Sequence, residues 1–223
     1  MKSNTKQLFL FAFLFLAVFI IFTVSVMFVD VSAIGPLNSL VGLSSLNDYV
    51  YKTIGSNDFW YNVSEILGYF SFAVMFGFAI FGLYQLITRK SFKKIDKDIY
   101  LLAAFYAVMI VVYLIFEVFV VNFRPILVDG ELEASYPSSH TMLVCCIMSS
   151  AFIQFNNRLN NQKTRITGKT ICISVIVLTV LARLFSGVHW FTDIIGGVLI
   201  SLTLVAFYVA FNNIILYKSE DKK

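Results

Sequence analysis

Charge is scarce in this 223-residue chain: 13% of residues are Asp, Glu, Lys or Arg against 59% hydrophobic, with a mean hydropathy of +0.82. That balance excludes an ordinary soluble domain, whose charged share is about 25%. No stretch is left over for a separate soluble domain, so one membrane domain spanning 1–223 is expected. Cysteine is nearly absent, and Cys145, Cys146 and Cys172 all fall within apolar runs, which excludes a disulfide framework or a CxxC metal signal and leaves packing as their role. Histidine occurs only twice, at His140 and His189. No internal repeat or low-complexity segment interrupts the chain.

What is abundant is the long apolar run. Six stretches approach the roughly 20 residues needed to cross a hydrocarbon core of about 30 Å as a helix: 8–29, 66–88, 99–123, 138–157, 170–188 and 194–217. Lipid offers no partners for open backbone, and the runs are too uniformly apolar for alternating barrel strands. The expected fold is all-α, a polytopic bundle of six transmembrane helices. The first run has a basic start and a VSA that suits signal cleavage, but its apolar core is too long for a signal peptide, so it is read as a retained helix.

Basic residues fix the expected orientation. The N-terminus, the connections 89–98 and 158–169 and the tail after Tyr217 hold 14 of the 17 Lys and Arg, leaving Lys52, Arg124 and Arg183 for the other side. By the positive-inside rule both termini are cytoplasmic (N-in/C-in), with formal charges of +10 inside and −6 outside. The basic balance describes loops facing anionic lipid and carries no case for nucleic acid as a partner. The long connection 30–65 is left without a definite shape. Its aromatic cluster Phe59 to Tyr61 suits the headgroup level, and Asn62-Val63-Ser64 matches a glycosylation acceptor of a kind common by chance.

Five ionisable residues converge on the outer face. Arg124 closes the third run, His140 opens the fourth, Arg183 lies near the end of the fifth, and His189 and Asp193 begin the sixth. Intramembrane ionisable groups face a cavity, a partner or a path by default. Arg124 alone reads equally as a snorkelling helix end, and His140 alone reads first as structural. The i, i+4 spacing of His189 and Asp193 places them on one helix face, where the carboxylate can hold Nδ1 and free Nε2 as nucleophile or base. Pro137 suits the first turn of a helix, so Ser138, Ser139 and His140 offer amides and hydroxyls to an anion, or simply a helix cap.

These residues fall into three motifs: Arg124-Pro125, Pro137-Ser138-Ser139-His140, and Arg183 with His189 and Asp193 at R-x5-H-x3-D. Together they resemble the signature of the type 2 phosphatidic acid phosphatase superfamily, whose membrane members include lipid phosphate phosphatases, phosphatidylglycerophosphate phosphatases and undecaprenyl diphosphate phosphatases. The resemblance covers roughly the second half of the chain, from the third run onward, with the signature motifs within 117–193. It implies a metal-independent lipid phosphatase without cofactor, acting at the extracytoplasmic face of the cell membrane on a membrane lipid phosphate. His189 would attack phosphorus, Asp193 orient it and His140 act as acid and base. Arg124, Arg183, Ser138 and Ser139 would hold the phosphate.

This chain departs from the family pattern at three places. Glu117 stands where a lysine is usual, Ala182 where a serine is usual, and Ser139 where a glycine is usual. Glu117 and Arg124 are seven residues apart, two helical turns, so they are expected to share a face where the glutamate can orient the arginine, weaken phosphate binding or shift substrate preference. Two other functions stand beside the phosphatase. A metal-dependent enzyme rests on the acidic run Asp129, Glu131, Glu133, which is ordinarily a solvated face. A non-catalytic lipid phosphate binder or transporter rests on Glu117.

Overall fold

The long apolar runs fold as helices, whose backbone groups are satisfied within one segment. The computed structural model describes residues 2–220 and the side chains of 5–215. Among the described residues there are seven α-helices and no strand: α1 (Lys2–Phe28), α2 (Ser44–Ile54), α3 (Asp58–Arg89), α4 (Lys97–Val118), α5 (Ser139–Arg158), α6 (Gln162–Ser186) and α7 (Phe191–Glu220). The expected all-α class holds. Five helices, α1, α3, α4, α6 and α7, are long and apolar enough to cross a membrane, which makes this a multi-pass membrane protein.

α5 is the helix least like a lipid-facing span, and packing explains why. It touches α3, α4, α6 and α7, and ten of its 20 residues are buried. A helix enclosed by other helices meets protein rather than lipid, so it tolerates small and polar residues. Ser150 is within 3.0 Å of the Tyr106 hydroxyl on α4, and Gln154 donates to the Tyr208 hydroxyl on α7 at 2.9 Å. Cys145, Cys146 and Cys172 are free and buried, in keeping with packing.

α1 lies along α7, where Phe13 meets Phe207 edge-on at 5.2 Å, and it adds Phe19 and Val26 to the core. The connection 30–65 has a definite shape. Asp30 anchors the start of α2 by accepting from the Ser44 hydroxyl (3.1 Å) and the Ser45 amide (2.8 Å). Asn47 on α2 then clamps the start of α7: its Oδ1 accepts from the Thr192 amide at 3.1 Å and its Nδ2 donates to the Thr192 hydroxyl at 2.9 Å. α2 is thereby tied to the end of the bundle that holds both histidines.

The opposite end is closed by charge. Asp96 accepts from Arg89 (2.6 Å), Arg158 (3.0 Å) and Gln85 (2.9 Å), and Asp98 takes two bonds from Arg158 at 2.7 and 2.6 Å. Of the basic residues expected at that end, Lys2, Lys218, Lys222 and Lys223 have side chains outside the described residues.

Two expectations about helix ends are corrected. The third apolar run does not stay helical to Phe123: α4 stops at Val118, so Arg124 and Glu117 share no helix face. Residues 122–135 form a hairpin instead, with amide-to-carbonyl bonds from Arg124 to Glu133 (3.0 Å) and Ser135 to Asn122 (2.9 Å), turning at Asp129-Gly130 with positive φ at both. Asp-Gly is favoured in such a turn. Asn122 supplies the reason for the break: buried, it accepts from the Gly42 amide and donates to Asp193, which requires the chain to leave the helix and run extended. Likewise α6 ends at Gly187 in the left-handed conformation and α7 starts only at Phe191, so His189 lies in the intervening turn rather than on the α7 face.

Candidate active site

Asp193, on the first turn of α7, is completely buried and is the hub of the site. Its Oδ1 accepts from Asn122 Nδ2 at 3.2 Å, and its Oδ2 from the Trp190 amide at 2.9 Å and the Ser135 hydroxyl at 2.5 Å. The expected direct pairing with His189 is replaced by a bridge. Ser135 Oγ lies 3.0 Å from His189 Nδ1, and since its one proton goes to Asp193, the imidazole Nδ1–H donates to the serine. That fixes the tautomer. Nε2 keeps its lone pair and is buried without a hydrogen-bond partner.

Burial holds the His189 imidazole well below its ordinary acidity range near 6.5, helped by the positive charges of Arg124 and Arg183 and by His140. It is therefore neutral at physiological pH, as a nitrogen nucleophile must be.

Both arginines reach this end, each beside a glutamate. Arg183, 4% exposed on α6, donates from Nη2 to Glu65 Oε1 of α3 at 2.7 Å, and its Nε and Nη1 are buried without partners. Its guanidinium lies 5.6 Å from the centre of the Tyr61 ring; Tyr61 and Phe59 of the aromatic cluster are both exposed, Phe59 the more so. Arg124 Nε lies 3.2 Å from Glu133 Oε2 across the hairpin without hydrogen-bond alignment. Glu133 thus takes the place next to Arg124 that a continuous helix would have given to Glu117. Glu117 instead lines a small cleft with Tyr113, Ser135 and Ser139.

His140, on the first turn of α5, donates from Nε2 to the backbone carbonyl of Ser64 at 2.7 Å, leaving Nδ1 3.8 Å from Glu65 Oε1. Its ring lies so close to α3 that a Cβ built on Gly68 would fall 2.4 Å from Cε1. Ser64, part of the glycosylation tripeptide, is fully buried.

In the PSSH turn, Pro137 lies before the helix and not in its first turn. α5 starts at Ser139 and Ser138 caps it: its hydroxyl accepts from the Thr141 amide at 3.4 Å, and its own amide donates to the Asp193 carbonyl at 2.8 Å. Ser138 is spent on shaping the turn. The amides of Ser139 and His140, first in the helix, have no partner within it and remain as anion donors. Asp129, Glu131 and Glu133 are spread along the hairpin, and among the described residues no three His, Cys, Asp or Glu are grouped to hold a metal ion.

Sequence reasoning missed Ser64, Glu65, Gly68, Asn122 and Ser135. Glu65 alone gave a signal, as an acid at the border of an apolar run.

Residues 114–215 match the model of the PAP2 superfamily, a stretch that includes all three motifs. The resemblance read from those motifs is borne out there. In fold, the chain is similar to a solved structure described as the first transmembrane PAP2 type phosphatidylglycerolphosphate phosphatase from Bacillus subtilis. The TM-score is 0.64 at 18% identity, over 91% of this chain and 96% of that one. No curated protein matches the chain.

Proposed function

We propose that this protein is an integral membrane lipid phosphatase working through a phosphohistidine. The observation that carries the reading is the unpartnered, buried Nε2 of a neutral His189, held through Ser135 to Asp193, in a site that also holds both arginines. Nε2 attacks phosphorus in line, the N–P bond forms and the P–O bond to the lipid breaks as His140 gives its proton to the departing oxygen. Water then attacks the phosphohistidine, His140 takes its proton, and phosphate leaves with Nε2 restored. Arg124, the free nitrogens of Arg183 and the Ser139 and His140 amides stabilise charge on the equatorial oxygens.

α5 completes six spans in one membrane domain. With both termini cytoplasmic the site opens at the extracytoplasmic face, where a lipid headgroup lies. Undecaprenyl diphosphate, phosphatidylglycerophosphate and phosphatidic acid are the substrates to assay, the first favoured by an outward site. His189→Ala should abolish phosphate release from whichever of these wild type hydrolyses; near-normal turnover by the folded variant would overturn the assignment. Full activity in excess chelator is expected.

Glu117 favours a second reading, a non-catalytic lipid phosphate binder or transporter, because it puts an acid in the cleft beside Ser139. Lipid flipping by reconstituted protein without phosphate release would establish it.

A further inference from the structure

We infer that Glu65 on α3 is a positioning residue for this site, one carboxylate that sets both the Arg183 guanidinium and the His140 imidazole; this rests on the phosphatase reading above. Three contacts point to it. Glu65 Oε1 accepts from Arg183 Nη2 at 2.7 Å, the same oxygen lies 3.8 Å from His140 Nδ1, and the opposite ring nitrogen of His140 donates to Ser64 O at 2.7 Å. Glu65 and Ser64 are neighbours on one turn, with Gly68 one turn further along providing the space into which the imidazole fits.

The chemical consequence concerns which atom of His140 moves protons. A carbonyl oxygen only accepts, so Nε2 keeps its hydrogen in the neutral and the charged ring alike. Nδ1 is then the atom that gains and loses the exchangeable proton, and Glu65 is the carboxylate that faces it. Arg183 on α6, Arg124 on the hairpin and His189 in the α6–α7 turn bring positive or titratable groups to the same space, and Glu65 is the acid set among them. Holding Arg183 by Nη2 leaves its buried, unpartnered Nε and Nη1 for a phosphate. α3 lies outside the segment that matches the family model, so the motifs do not contain this part of the site.

The test separates the two arms. Orthovanadate binding to purified protein in detergent reads the Arg183 arm and needs no turnover, while kcat on a lipid phosphate reads the His140 arm. Glu65→Gln should weaken vanadate about tenfold and lower kcat on the order of 10²-fold, the size of a general acid's contribution. Glu65→Asp, which keeps the charge, should recover part of both. Gly68→Ala, which displaces the imidazole and leaves the Glu65–Arg183 pair, should lower kcat with vanadate affinity kept. Wild-type values of both quantities in Glu65→Gln, a loss confined to KM, or a loss that Glu65→Asp does not relieve would overturn the proposal. Vanadate binding by wild type without release of phosphate from any lipid would instead sink the phosphatase reading; a weaker affinity in Glu65→Gln would then still support the hold on Arg183.

Discussion

Ser135 has one proton and spends it on Asp193, so everything His189 receives from the carboxylate passes through a hydroxyl. Ser135→Ala should leave Nδ1–H without an acceptor, free the imidazole to change tautomer, lower kcat on the order of 10²-fold and cost about 1–3 kcal/mol of stability. Steady-state kinetics with thermal unfolding in detergent checks both halves. The pH dependence follows from His189 itself. Its folded-state value lies below the ordinary 6.5, so its contribution to stability is complete above 6.5 and is lost as pH falls through the folded value. An acid limb of kcat/KM near 6.5 should therefore be absent. His189 and Asp193 were legible as a pair because their spacing is a pattern, whereas Ser135 lies 54 residues from His189 in a loop and no local periodicity marks it.

The hairpin 122–135 acts as one element: Asn122 and Ser135 at its base bind Asp193, and Arg124 stands just above them against Glu133. Its turn depends on Gly130 at φ +85°, where a side chain is strained. Gly130→Ala should cost about 1 kcal/mol of stability and raise KM more than it lowers kcat, because Arg124 shifts while His189 stays. Kinetics on a wild-type substrate against the melting temperature would show the split. Hydropathy could place the apolar run through Phe123 but could not see its helix end at Val118, since Val120 and Val121 are as apolar as the helix before them. Tertiary hydrogen bonds of Asn122 decide the boundary. α5 was legible for the converse reason: the polar cap Ser138 and the basic end Arg158 bracket a clear run.

At the scale of the whole molecule, the two ends of the bundle are held by different means. The site end combines neutral clamps such as Asn47 on Thr192 with separate ion pairs, Arg183 on Glu65 among them, while the far end is closed by one network of Arg89, Arg158, Asp96 and Asp98. Partial burial pulls the Asp96 carboxyl up, but hydrogen bonds from Arg89, Arg158 and Gln85 outweigh it and leave it below 3.8. Its stabilisation is thus full above that value and lost as pH falls through the folded one. Arg158→Ala should lower stability by about 2 kcal/mol, as charge-assisted bonds from one side chain are lost, with kcat preserved at the distant site. Thermal unfolding at neutral pH checks the first and lipid phosphate turnover the second. The basic loops announced this end in sequence as an excess of charge, but not that Arg158 turns inward to join α5 to the start of α4.

The pairing of each site arginine with its own glutamate has one more consequence. With Arg183 on Glu65 and Arg124 beside Glu133, each guanidinium has a counter-charge of its own that holds it in place. On the phosphatase reading, the side chains that would hold a phosphate are ordered before it arrives, so binding is spared the cost of fixing them.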